Sequence, residues 1–126
     1  MGVLIDSDIL IEVTRGRNRS ILTAWEVLGD SAEAVMCSPV SVAELWHGAR
    51  PLEVDAITEL FDSLEVVNVD RETGRLAGEI LKSCSKSHGV EIADALIAAA
   101  VIVSGARLWT RNRKHFPMRA LRFFEA

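Results

Sequence analysis

Nine consecutive apolar residues, Ala95 to Val103, follow directly on the carboxylate of Asp94. The run is about half of what a membrane span requires. A helix over Glu91–Val103 therefore has no polar face to offer water and must be wrapped on most sides by other parts of the chain. With 126 residues, 49% of them hydrophobic, the chain has enough material to do this as one domain, 1–126, and too little for a second.

The wrapping elements are legible. Gly2–Ile5 is a short apolar run that ends at Asp6-Ser7-Asp8, after which Ile9, Leu10, Ile11 and Val13 fall at helical spacing up to Gly16. Ser20 is placed to cap a second helix through Ile21, Leu22, Trp25 and Leu28, with Gly29 ending it. Ala34–Cys37 reads as the second strand. Ser41 and Glu44 have capping-box spacing and predict a helix opening there and running to about Gly48. A further helix is expected over Leu52–Leu64, a strand over Glu65–Val69, and a helix capped by Asp70 that ends in the polar stretch Ser85–Gly89. Ala106–Trp109 gives a fourth strand and Leu121–Phe124 a fifth. Short strands alternating with helices imply an α/β fold: a central, mainly parallel sheet of four to five strands with helices on both faces. Ligands of such sheets sit at the carboxyl ends of the strands.

Composition narrows the chemistry. An early acidic residue and the absence of a basic leader, together with an apolar run too short for a membrane, point to the cytoplasm. Cys37 and Cys84 form no metal-binding spacing and read as two buried thiols. A net charge of −4 argues against a general positive field for nucleic acid, but the basic residues gather near the two ends of the chain. Arg15, Arg17 and Arg19 form one group; Arg111, Arg113 and Lys114 belong to the other.

Three acids occupy the expected functional edge. Asp6 stands at the junction of the first strand and its helix, where a capping role competes with a ligand role. Asp94 opens the apolar helix and, so placed, requires amides, a cation or a metal as partner. Glu44 has the capping box as its alternative. Acids gathered at one edge repel unless a cation lies among them, and an oxygen-only set with open positions suits Mg²⁺ or Mn²⁺. Such an ion polarises a phosphodiester and deprotonates water, without any Ser-His-Asp or Cys-His arrangement. Asp8 and Glu12 lie four residues apart on the first helix, flanking the same cleft or facing solvent. Thr110 to Phe116 brings Asn112, His115 and three cations to the same edge.

Val3-Leu4-Ile5-Asp6-Ser7-Asp8-Ile9-Leu10-Ile11, Ser41-Val42-Ala43-Glu44-Leu45, Ala93 through Ala100, and Thr110-Arg111-Asn112 through Phe116 follow in order across nearly the whole chain. In these four segments the chain resembles the PIN-domain ribonucleases, and within them the toxin component of VapBC-type toxin–antitoxin pairs. The resemblance implies an α/β/α sandwich, Mg²⁺- or Mn²⁺-dependent cleavage of RNA, homodimerisation, and neutralisation by a cognate VapB-type antitoxin. It implies Asp6, Glu44, Asp94 and Asn112 as the catalytic set, with Asp6 and Asp94 as metal ligands, Glu44 as a third ligand or the residue that orients the attacking water, and Asn112 and Thr110 shaping the site. Asn112 falls where many relatives have a fourth acid, and His115 where others have Asp. The chain thus departs from the full acidic quartet, which favours one well-bound ion with a second recruited by substrate. Ser7, Asp8, Thr110 and His115 are expected to orient the ligands, and Arg15, Arg111, Arg113 and Lys114 to position RNA phosphates.

Two other readings start from the same residues. Asp6-Ser7-Asp8 has the spacing of a haloacid-dehalogenase phosphatase, although Leu10 replaces the expected Thr or Val and no partner Lys motif follows. A PIN-like module that only sequesters RNA or protein is the non-enzymatic alternative. Trp25, Trp46 and Phe61, on three separate helices, are expected in the core, with any exposed member available to an antitoxin.

Overall fold

The computed structural model describes residues 2–126 as four strands and six helices. The strands are β1 (Gly2–Ile5), β2 (Ala34–Cys37), β3 (Glu65–Val66) and β4 (Arg107–Trp109). The helices are α1 (Ser7–Arg15), α2 (Arg19–Gly29), α3 (Pro39–His47), α4 (Val54–Asp62), α5 (Arg71–His88) and α6 (Ile92–Ser104). The sheet order is β3-β2-β1-β4, with every pairing parallel. In register, Leu4 of β1 lies between Met36 of β2 and Leu108 of β4.

β1 is buried at all four positions, as expected of a parallel strand covered on both faces. Alternate side chains enter different cores. Leu4, Met36 and Leu108 join α5 and α6 on one side. Val3, Ile5, Cys37 and Trp109 join α1, α2, α3 and α4 on the other. α6 lies within the first core, with Ala95, Ala98 and Ala99 fully buried, and small side chains there let it pack closely on α5 and the sheet. No helix among the described residues is long and apolar enough to cross a membrane.

Several boundaries differ from the sequence reading. Asn18, not Ser20, caps α2, because its side chain accepts from the Ile21 amide at 3.1 Å while Ser20 already lies in the first turn. α3 begins at Pro39 under a Ser38 cap, whose hydroxyl accepts from the Val40 amide at 3.1 Å. Proline suits that first position since it has no N–H to leave unpaired. The expected Ser41–Glu44 capping box is therefore absent, and both residues lie inside the helix. The Leu52–Leu64 segment divides into a 3-10 turn at Pro51–Glu53 and α4. α5 runs through the polar stretch to His88 and stops at Gly89, whose φ is 65°. β3 shortens to two residues, extended by the Val67 amide donating to Cys37. The fifth strand contracts to a single parallel bridge, Leu108 to Phe123. Cys37 is buried and free, and Cys84 is free but only half-buried, since it lies toward the rim of α5.

Candidate active site at the strand ends

β1 delivers Asp6 to the carboxyl edge of the sheet, where the Asp6 amide donates to the Trp109 carbonyl of β4 at 2.9 Å. The carboxylate of Asp6 accepts from two donors: the Ser7 amide at 2.8 Å and the Thr110 hydroxyl at 2.7 Å. Capping and site geometry are thus compatible, because one oxygen caps α1 while the other faces the segment after β4. Burial pushes the Asp6 carboxyl up to about 6; the neighbouring Asp8 charge adds to this, the Thr110 and Ser7 hydrogen bonds oppose it, and Asp94 raises it further. The Asp94 charge is thus felt, as the smallest of these influences, at Asp6.

Asp94 occupies the third position of α6 and bonds back to the Glu91 amide, at a long 3.5 Å. That is the capping box of this helix, completed by the Glu91 side chain. Burial raises the Asp94 carboxyl, opposed first by the Glu91 hydrogen bond and then by the charge of His115. His115 accordingly belongs to the electrostatic surroundings of Asp94.

Glu44 reaches the site through a relay. Its Oε1 accepts from the Ser7 hydroxyl at 2.6 Å, and Ser7 and Ser41 hydroxyls lie 2.8 Å apart. A hydroxyl has one proton. Ser7 gives it to the carboxylate, leaving Ser41 to donate to Ser7. Ser41 and Glu44 share a face of α3 because they are three residues apart, so their spacing carries a real signal whose use is tertiary contact with α1. Ser41 was missed as a site residue for that reason.

Asp8 binds the segment after β4. Its Oδ2 accepts from the Arg111 amide at 3.0 Å and from Asn112 Nδ2 at 3.1 Å, while Oδ1 is buried without a partner. Burial raises the Asp8 carboxyl, and the Arg111 amide is the main opposing influence. The Asn112 amide also donates to the Thr110 hydroxyl at 3.0 Å. Asp6, Thr110, Asn112 and Asp8 thereby form a closed set of contacts across two segments about a hundred residues apart in sequence.

The cations expected to meet RNA mostly have acidic partners. Arg111 lies 4.0 Å from Asp8 and 3.7 Å from Glu12, so Glu12 also faces this cleft. Arg15 is 3.8 Å from Glu53, and Arg113 is 2.9 Å from Glu125. Of the aromatic residues, Trp46 is exposed at 41%, whereas Trp25 and Phe61 pack partly against the core around α1 and α4. Trp25 also lines a surface cleft of about 480 Å³ with Glu26, Gly29, Asp30, Val35 and Ser63, a lining that includes none of Asp6, Asp8, Glu44 and Asp94.

Among the described residues, no three His, Cys, Asp or Glu side chains stand in geometry that grips a metal ion. The donor set still fits a hard divalent ion: it is all oxygen, and Asp6, Asp8 and Asp94 are all raised by burial. The unpartnered Oδ1 of Asp8 is a further acceptor beside the set.

Residues 3–120 match the PIN domain family. The chain belongs to that family. Ribonuclease VapC19 of Mycobacterium tuberculosis is 32% identical over 116 residues, covering 91% of this chain and 92% of the relative. Ribonuclease VapC10 of the same organism is 34% identical over 119 residues, covering 92% and 86% respectively. The fold agrees with VapBC2 from Rickettsia felis, solved bound to a DNA fragment from the promoter, at a TM-score of 0.85 and 20% identity over 98% of both chains. PIN membership takes precedence over the phosphatase reading. Asp8, the residue that reading needs as a mobile acid, is committed to the Arg111 amide and the Asn112 side chain.

Proposed function

We propose that this PIN-domain chain is the toxin of a VapBC-type pair, a Mg²⁺- or Mn²⁺-dependent endoribonuclease neutralised by a cognate VapB-type antitoxin. The observation that carries this is Asp6: buried at the end of β1 and oriented by the Ser7 amide and the Thr110 hydroxyl. Kinship with curated VapC ribonucleases and a fold shared with VapBC assemblies support it. A cytoplasmic location and a homodimer belong to the same reading.

Asp6 and Asp94 would hold the ion, joined by Glu44 from the Ser7 side. When bound, the ion supplies Lewis-acid polarisation of the phosphodiester and a water of lowered pKa. The chain itself does the orienting. Thr110 donates its proton to Asp6 Oδ2 and fixes the carboxylate plane, and Ser7 aims Glu44 toward the same edge. Asn112, neutral and tied to Asp8, adds a polar contact without a fourth formal charge, which favours one tightly held ion. Asp6→Asn and Asp94→Asn should each reduce RNA cleavage in Mg²⁺ or Mn²⁺ by at least about a hundredfold. Cleavage at the parent rate by either variant would overturn the assignment. Titration with Mn²⁺ by calorimetry separates the enzyme from a module that only sequesters RNA, since the latter needs no ion.

A further inference from the structure

Arg113, Lys114 and His115 form a 3-10 turn, in which successive side chains point about 120° apart. Three basic residues in a row therefore meet three surroundings. His115 lies in the field of Asp94. The Arg113 guanidinium stands 4.6 Å from the centre of the Phe123 ring, and its Nη2 donates to Glu125 Oε1 at 2.9 Å. Lys114 is exposed and has no acidic partner among the described residues.

Of the partners of Arg113, Phe123 is held by backbone pairing on either side, while Glu125 is exposed. The Leu108 amide donates to the Arg122 carbonyl and the Phe124 amide to the Leu108 carbonyl, both at 2.8 Å. The Phe124 ring lies 5.2 Å from that of Trp109. This closing segment lies beyond residues 3–120, the part matched to the PIN domain. For Arg113 to take a phosphate it would have to leave both the ring and the carboxylate, whereas Lys114 gives up only water.

We propose that Arg113 is a positioning residue that ties the Thr110–His115 segment to Phe123 and Glu125, and that Lys114 is the cation of this segment that takes an RNA phosphate. The identity of the ligand rests on the ribonuclease reading. The anchoring acts on the site through Asn112 and Thr110, which precede Arg113 and reach Asp8 and Asp6.

The test uses the full chain and a labelled single-stranded RNA of mixed sequence, with binding followed by fluorescence anisotropy over a series of salt concentrations in chelator. Lys114→Ala should weaken binding and flatten the slope of log affinity against log salt by about 0.7, the loss of one phosphate contact. Arg113→Ala should leave that slope unchanged. In denaturant unfolding, Arg113→Ala and Phe123→Ala should be non-additive, and Phe123→Trp should restore the coupling that Phe123→Ala removes. A flattened slope in Arg113→Ala, an unchanged slope in Lys114→Ala, or additive effects of Arg113→Ala and Phe123→Ala would each overturn the proposal. A parent chain that binds RNA with this salt dependence but does not cleave it in Mg²⁺ or Mn²⁺ would overturn the nuclease reading and leave the division of roles standing.

Discussion

Asp6 is the side chain whose ionisation is most strongly opposed by its surroundings, and this has a definite consequence for stability. Its folded-state pKa of about 6 exceeds the ordinary 3.8, so between these values the folded chain binds more protons than the unfolded one. Stability then falls as pH rises from about 4 to about 6 and levels off above, the cost approaching roughly 3 kcal/mol at full effect. Asp6→Asn removes the charge and keeps one acceptor oxygen, for Thr110, at the cost of the hydrogen bond from the Ser7 amide. Denaturant unfolding in chelator should find Asp6→Asn more stable than the parent at pH 7.5 by about 1–3 kcal/mol, with the gain shrinking toward pH 4.5. A stabilised variant that is also inactive is the signature of a residue kept for chemistry at the expense of the fold.

At the scale of elements, α1 does more than begin the domain: it grips the segment that follows β4. Asp8 holds both the Arg111 amide and the Asn112 side chain. Asp8→Ala removes the one oxygen that accepts both hydrogen bonds and should accelerate hydrogen exchange at the Arg111 amide while lowering RNA cleavage about tenfold through misplacement of Thr110 and Asn112. Asp8→Asn retains an acceptor oxygen and should recover most of the lost protection. If the two variants exchange equally fast, charge and not hydrogen bonding sets the segment. α3 shows the converse lesson. Its Ser41–Glu44 spacing marks a shared helix face, but whether that face caps its own helix or meets Ser7 depends on where the helix begins, which Pro39 and Ser38 decide.

Across the whole molecule, one sheet divides two cores, and the fully buried residues on its faces carry the greatest load. Leu108 is fully buried, pairs in register with Leu4, and bonds through its backbone to Arg122 and Phe124. Leu108→Ala should cost about 2–5 kcal/mol in denaturant unfolding. Val103→Ala, the last residue of the apolar run of α6 and 52% exposed, should change stability by no more than about 0.5 kcal/mol. Equal costs at the two positions would mean that the run is buried to its end.

The alternation of apolar strands with helices, and the burial of α6, were determined by the sequence itself, because hydrophobic periodicity is local and a fully apolar helix has only one place to go. So was the position of Asp6, fixed by the strand that ends at it. Tertiary structure alone decided that Glu44 reaches the site through Ser7, that Asp8 holds Asn112, and that Arg113 turns to Phe123. Those pairings join residues far apart in sequence, and the choice among equally plausible partners depends on distances and directions that arise only when the sheet has closed. It also reduced the expected fifth strand to a single bridge, Leu108 to Phe123.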